Sequence, residues 1–116
     1  MAHPAYDQNI VVDLEFTPSI RNARKQGVRQ VYEVIEIGAV RVSPGGRMLD
    51  EFRCLVRPEM AASVSGRVRR LTGITTRMLE DAPNFAEALL LFSEWVGKGR
   101  TRMVAWSEND KAQIVS

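Results

Sequence analysis

The stretch Val11-Val12-Asp13-Leu14-Glu15-Phe16-Thr17 is an apolar run that ends in two carboxylates separated by one residue. Side chains alternate between the two faces of a β-strand, so Asp13 and Glu15 are predicted to point to one side and Leu14 to the other. Their Cβ atoms are predicted to lie roughly 6–7 Å apart, twice the strand rise. Two carboxylates that close repel each other, and a hard divalent cation between them relieves that repulsion. The stretch therefore predicts half of a Mg²⁺ or Mn²⁺ site, with an ordinary solvated strand end as the alternative.

The length of the chain predicts a single domain that spans residues 1–116. The chain is 45% hydrophobic, which is enough for a packed core, and it has no apolar run of about 18 residues that could cross a membrane. Its single cysteine, Cys54, cannot form an intrachain disulfide, and with one histidine in the chain a zinc finger is excluded. No secretion signal is visible, so we expect a cytoplasmic protein without a membrane partner.

Basic residues are clustered although the formal net charge is only +2. Such clusters suit the phosphates of a nucleic acid, but solvated loops produce them equally often, and both interpretations stay open at this point. The three clusters are Arg21, Arg24, Lys25 and Arg29; Arg67, Arg69 and Arg70; and Lys98, Arg100 and Arg102.

The hydrophobic pattern predicts the order β-β-β-α-β-α. Three sequential strands followed by a helix, a strand and a helix indicate an α/β fold with a mixed sheet. A helix is predicted after Asn84, which forms a capping box with Glu87, and Leu91 and Trp95 widen its apolar face so that the helix should be sandwiched. The main elements are strands at Ile10–Leu14, Val31–Val42, Met48–Val56 and Met103–Trp106, the helix Phe85–Val96, and a last helix from Asp110.

A further acid, Asp110, follows the fourth predicted strand. If that strand lies beside the first one, Asp110 approaches Asp13 and Glu15 from a helix start, where the helix dipole favours an acid even without a metal. The chain as a whole resembles the DEDD (DnaQ-like) 3′-to-5′ exonucleases of the DEDDh branch, and within it the RNA-trimming enzymes. The resemblance is carried by Val12–Glu15, Val34–Val40, Phe52 with Val56–Pro58, Leu71–Thr75, Ala82–Pro83 and Val104–Lys111.

The resemblance implies a ribonuclease H-like fold and two-metal hydrolysis of the terminal phosphodiester of single-stranded RNA or DNA. In that scheme two Mg²⁺ or Mn²⁺ ions are held by three carboxylates: Asp13 bridges both ions, Glu15 holds the ion that carries the attacking water, and Asp110 orients the second ion. The 3′ end of the substrate would be bound by the backbone of residues 14–17, with Leu71 and Ile74 against the last base, although a core role is as plausible for Leu71. The implied substrate-binding residues are Leu14, Phe16, Thr17, Leu71 and Ile74.

The chain departs from the family pattern because a third motif, with a His or Tyr base and a final Asp, does not follow. We therefore expect a C-terminally truncated, incomplete domain with little activity of its own, since general-base catalysis contributes about 10²–10⁴-fold. An apolar sheet face left uncovered by truncation predicts a homodimer or other self-association. Two other readings stay open: a non-catalytic nucleic-acid-binding module and an interaction domain on the same fold.

Overall fold

The computed structural model describes residues 6–105 of the chain. Its elements follow the predicted order as far as the description extends, and the last predicted helix, from Asp110, lies outside the described residues. The elements are β1 (Gln8–Pro18), β2 (Tyr32–Val42), β3 (Met48–Leu55), α1 (Gly66–Thr72), a 3₁₀ turn (Arg77–Leu79), α2 (Phe85–Val96) and β4 (Thr101–Ala105).

The strands form one mixed sheet with the order β3-β2-β1-β4. β1 pairs antiparallel with β2 and parallel with β4, and β2 pairs antiparallel with β3. The predicted hairpin of the second and third strands is therefore confirmed, and β1 lies in the interior of the sheet. Parallel pairing places the carboxyl ends of β1 and β4 at the same edge of the sheet.

One face of the sheet is closed by α2. Ile10, Val12 and Leu14 of β1 pack on this side against Ala88 and Phe92 of the helix. The helix begins at a capping box in which Asn84 accepts from the backbone N–H of Glu87 and the Glu87 carboxylate accepts from Asn84. This face uses the residues of β1 that alternate with Asp13 and Glu15, so the two carboxylates belong to the opposite face.

The prediction that α2 is sandwiched between two layers is wrong for the part of the chain that the structure describes. Only Ala88 and Phe92 of the helix are buried, whereas Leu90 and Leu91 are exposed. The apolar stripe of the sequence is wider than the surface that the sheet covers. No helix within residues 6–105 is long and apolar enough to span a membrane.

A second, smaller core lies at the carboxyl end of β1. It contains Ile35 of β2 together with Val64, Ile74 and Leu79 from the segment that follows β3. Ile35 reaches this core because the register of β1 and β2 shifts between Glu15 and Phe16, and such a bulge turns an additional side chain out of the regular alternation. The second core holds α1 and the 3₁₀ turn against the sheet, next to the end of the strand that carries the carboxylates.

Candidate functional site

Asp13 and Glu15 lie on the open face of the sheet, as the strand alternation predicts. Leu14 between them is buried in the core on the other side, and Asp13 is exposed. Asp13 pairs across the sheet with Gly38, whose missing side chain leaves the space beside the carboxylate open. A Cβ atom added at Gly38 would lie 3.4 Å from the Asp13 carbonyl oxygen. The local sequence thus presents two carboxylates toward an accessible surface.

A third acid of the same face, Glu36, was missed by sequence reasoning. Glu36 pairs directly with Glu15 across the sheet, and Arg53 donates to the Glu36 carboxylate at 2.8 Å. That hydrogen bond and the charge of Glu36 raise the pKa of the Arg53 guanidinium. The positive charge of Arg53 offsets the negative charge of Glu36. This lowers the repulsion between the Glu36 and Glu15 carboxylates. The antiparallel register was the signal that could have revealed this pair.

The remaining predicted metal ligand, Asp110, lies outside the described residues. Within residues 6–105 no three His, Cys, Asp or Glu side chains gather in a way that could hold a metal ion. The chemistry of the two carboxylates that the structure does bring together still suits a hard divalent cation, which prefers oxygen ligands. Asp13 and Glu15 therefore fit one side of such a site, and the role of all three acids stays a prediction.

The end of β1 is fixed to the start of α1 by a buried hydroxyl. Thr17 is fully buried, and its Oγ1 accepts from the backbone N–H of Ser65 at 3.1 Å. Ser65 in turn caps α1, because its hydroxyl accepts from the N–H of Val68. A helix position relative to a strand is well determined when a buried polar group links the two. The Thr17 link thereby places α1 next to the carboxylates.

A cavity of about 710 Å³ opens between the end of β1 and α1. Phe16 and Leu71, two of the predicted substrate-binding residues, both contribute to its lining. Leu71 is 75% exposed, so the core alternative considered for this residue does not apply in the structure. A large apolar side chain exposed in a cavity at the end of the strand that carries two carboxylates is a surface on which a base or a sugar could pack.

The other predicted substrate-binding side chains face inward. Leu14 belongs to the core under α2, Thr17 is occupied by Ser65, and Ile74 is only 2% exposed within the second core. The backbone contacts predicted for residues 14–17 are compatible with this arrangement. For Ile74, a direct contact between its side chain and a base is incompatible with its burial, and its part in the structure is to support α1.

A carboxylate clamp formed by Glu33 holds the loop that leads into α1. Glu33 accepts hydrogen bonds from the Ser19 hydroxyl and from the backbone N–H groups of Glu59, Met60 and Ala61, at 2.7–3.1 Å. Burial by itself raises the pKa of Glu33, but the hydrogen bonds to its charged form outweigh burial, and the pKa is lowered below its ordinary value of 4.5. The clamp is therefore built for an ionised carboxylate.

We expect the variant Glu33→Gln to lower the free energy of unfolding by about 1–2 kcal/mol at pH 7, because the amide has no charge and keeps only one of the two acceptor oxygens, while its NH2 group cannot accept from a backbone N–H. A lowered pKa contributes stability that is present above pH 4.5 and is lost as the pH falls through the folded-state value. The difference between wild type and variant should thus shrink in urea unfolding at progressively lower pH. Glu59→Gln, on the same loop, is the matched control, and a pH-independent difference would contradict the clamp.

The sequence of the described region matches a known family. The family model described as exonuclease, RNase_T, matches residues 10–105. The chain belongs to this exonuclease family. The match includes both carboxylates of β1, the cavity and β4, so the resemblance drawn from the short motifs is confirmed for the family.

Relatives of this exonuclease domain by sequence include the PolC-type DNA polymerase III of Bacillus subtilis (strain 168). It is 36% identical over 89 residues, which cover 76% of this chain and 5% of that polymerase. The corresponding polymerase of Thermotoga maritima is 42% identical over 60 residues, or 52% of this chain and 4% of that protein. The exonuclease domain thus spans only a small part of the length of these relatives.

The fold of the exonuclease domain is shared with solved DEDDh nucleases. The nuclease domain of 3′hExo, a DEDDh family member bound to rAMP, superposes with a TM-score of 0.77 at 25% identity, covering 97% of this chain and 58% of that one. A 3′-exonuclease that recognises the 3′ end of histone mRNA stem-loop gives a TM-score of 0.78 at 24% identity, covering 94% and 39%. The predicted ribonuclease H-like α/β fold is confirmed, and the chain covers a fragment of the larger neighbours.

Proposed function

We propose that this domain is a 3′-to-5′ exonuclease acting on the terminal phosphodiester of single-stranded RNA or DNA. The observation that carries the proposal is that the Asp13 and Glu15 carboxylates lie on the open face of β1, and that the following residues of the same strand, Phe16 and Pro18, line a cavity together with Leu71. Membership in the exonuclease family supports the general class of reaction. The rAMP bound to 3′hExo supports a terminal nucleotide as the occupant of the cavity.

The proposed site divides the substrate between a polar part and an apolar part. Asp13 and Glu15 would hold Mg²⁺ or Mn²⁺, with Asp110 completing the ligand set by resemblance. When bound, a pair of such ions lowers the pKa of a coordinated water and stabilises negative charge on the reacting phosphate. Phe16 and Leu71 would orient the terminal nucleoside, and the buried Thr17–Ser65 link would keep the two parts in a fixed relation.

The test is the direction of degradation. We expect 5′-labelled oligonucleotides with a free 3′ hydroxyl to give a ladder shortened from the 3′ end in Mn²⁺, and oligonucleotides with a blocked 3′ end to resist. The chain is assayed both as its 116 residues and with an added C-terminal segment that carries a His or Tyr base and an Asp, the residues of the family's third motif. The extended form should be faster by about 10²–10⁴-fold.

Internal cleavage of a 3′-blocked strand, or equal rates with and without a divalent metal in both forms, would refute the exonuclease proposal. RNA and DNA substrates are compared in the same assay, since discrimination requires contacts to the 2′ hydroxyl. Strand binding by both forms without any hydrolysis would favour the second reading, a non-catalytic nucleic-acid-binding module. The basic clusters favour that reading specifically, since they bind phosphates without a metal. Self-association and a cytoplasmic location remain proposals, the first of them measurable by light scattering.

A further inference from the structure

We propose that the loop between β1 and β2, residues 19–31, forms with Arg67 a basic rim that binds the phosphates on the 5′ side of the terminal nucleotide. This inference rests on the proposed function, because a 3′ end seated in the cavity is what brings the following phosphates to the rim. It assigns to the loop a binding role for a phosphodiester backbone of two or more nucleotides.

The loop is a folded structure with a closed neck. Ser19 donates its N–H to the Val31 carbonyl at 2.7 Å, and the Gln30 side chain both accepts from the Ile20 N–H at 3.1 Å and donates to the Ile20 carbonyl at 2.9 Å. Ala23, inside the loop, is buried. Compact loops with close ends and internal packing hold their side chains in defined positions, which lowers the entropy lost on binding.

The charge of the loop is entirely positive. Residues 19–31 contain four cations and no acid, and within residues 6–105 no ion pair joins any of the four to a carboxylate. All four side chains belong to exposed residues. Unpaired cations of one sign on a folded loop attract a polyanion and are not explained by the stability of the domain. The four are Arg21, Arg24, Lys25 and Arg29.

Two basic clusters that are distant in the sequence meet at the cavity. Arg29, from the loop, and Arg67, from α1, both contribute to the lining of the same 710 Å³ cavity as Phe16 and Leu71. The residues lining this cavity include two arginines and no carboxylate. The cavity therefore has an apolar wall for a base and a cationic rim for phosphates.

The position of the rim determines which phosphates it can bind. The carboxylates of β1 attract metal ions and, through them, the phosphate that is cleaved, so the terminal nucleotide occupies the space between the strand and the cavity wall. No carboxylate lines the cavity, so a guanidinium of its lining can bind the phosphates of the substrate chain that are not cleaved. Arg29 and Arg67 are thus suited to the phosphates of the second and following nucleotides.

The test is the salt dependence of binding by the double variant R29Q/R67Q. Fluorescence anisotropy is measured on the 116-residue chain with single-stranded octanucleotides of RNA and of DNA, in EDTA so that no hydrolysis interferes. Each lost phosphate contact should lower the slope of log affinity against log salt by about 0.7, or about 1.4 for the double variant. Between 50 and 200 mM salt, the wild type should then lose about sevenfold more affinity than the variant. R47Q/R77Q, which removes two exposed arginines outside the cavity lining, is the charge-matched control.

Two results would overturn the inference: an unchanged slope in R29Q/R67Q, or an equal change in the R47Q/R77Q control. A change of slope confined to the RNA octanucleotide would also overturn it, because a contact to the phosphates, which RNA and DNA share, must appear with both. Because binding is measured without metal, the two proposals can fail separately. The salt slope can stay unchanged in R29Q/R67Q, which overturns the role of the rim, while 3′-end hydrolysis is still observed. Conversely, hydrolysis can fail while the slope changes as expected.

Discussion

Replacing Asp13 with asparagine is expected to lower the rate of 3′-end hydrolysis by about 10³-fold, while the domain stays folded. In the proposed site the Asp13 carboxylate would supply the negative charge that a divalent cation requires, and an amide of the same shape removes the charge but keeps one oxygen. Metal stabilisation of a reacting phosphate contributes several kcal/mol, and about 4 kcal/mol corresponds to about 10³ in rate. Asp13 is exposed on the open face, so the fold does not depend on it.

The D13N experiment has two independent readouts. Hydrolysis of a 5′-labelled oligonucleotide is followed in the faster of the original and the extended chain, and Mn²⁺ binding is measured by electron paramagnetic resonance on the 116-residue chain. The free energy of unfolding, measured by thermal unfolding, should change by less than about 0.5 kcal/mol, as for other substitutions at exposed positions. Asp81→Asn, an exposed acid beyond the 3₁₀ turn, is the matched control. A D13N rate within tenfold of wild type would remove Asp13 from the site.

The features that could be predicted from the sequence are those that depend on neighbours in the chain. The alternation around Leu14 placed two carboxylates on one face because the pleat of a strand has a period of two. The capping box of Asn84 and Glu87 satisfies backbone groups within one turn, so its spacing alone defines the start of α2. The predicted bounds of the two hairpin strands agree with the structure to within one residue, because the apolar pattern that defines each strand lies within that strand.

The features that could not be predicted depend on contacts between distant segments. Leu71 and Ile74 belong to one short motif, yet the first is exposed in the cavity and the second is buried, because α1 ends at Thr72 and the chain then turns into the core. The pairing of Glu36 with Glu15 requires the strand register, including its bulge. The exposure of Leu91 depends on what covers α2, which the helical pattern alone does not define.

The strongest contact that the sequence did not reveal is made by Arg41 of β2. Its guanidinium donates to the backbone carbonyls of Trp95 and Val96 and to the side-chain oxygen of Gln8, and its Cζ atom lies 4.3 Å from the centre of the Trp95 ring. It also donates to Asp50 at 2.7 Å. A cation at the carboxyl end of a helix satisfies carbonyls that have no partner within the helix and interacts favourably with the helix dipole. Arg41 thus joins the sheet to the end of α2.

The variant Arg41→Met is accordingly expected to lower the free energy of unfolding by about 3 kcal/mol. Methionine keeps the apolar stem of the side chain but removes the Arg41 donor from the Trp95 carbonyl and from the Gln8 side-chain oxygen, and it leaves the Val96 carbonyl with only the Gln8 amide as a donor. These groups lie in a partly buried place, since the Arg41 side chain is only 17% exposed. For a domain of this size the melting temperature should fall by about 10–15 °C.

Two controls separate the carbonyl contacts from the ion pair. Asp50→Asn removes only the exposed partner and should cost at most about 1 kcal/mol, because exposed ion pairs contribute little. Arg47→Met, in the exposed turn between β2 and β3, removes an equal charge and should have an effect within about 0.5 kcal/mol. If D50N destabilised the domain as much as R41M, the ion pair and not the helix end would be the dominant partner.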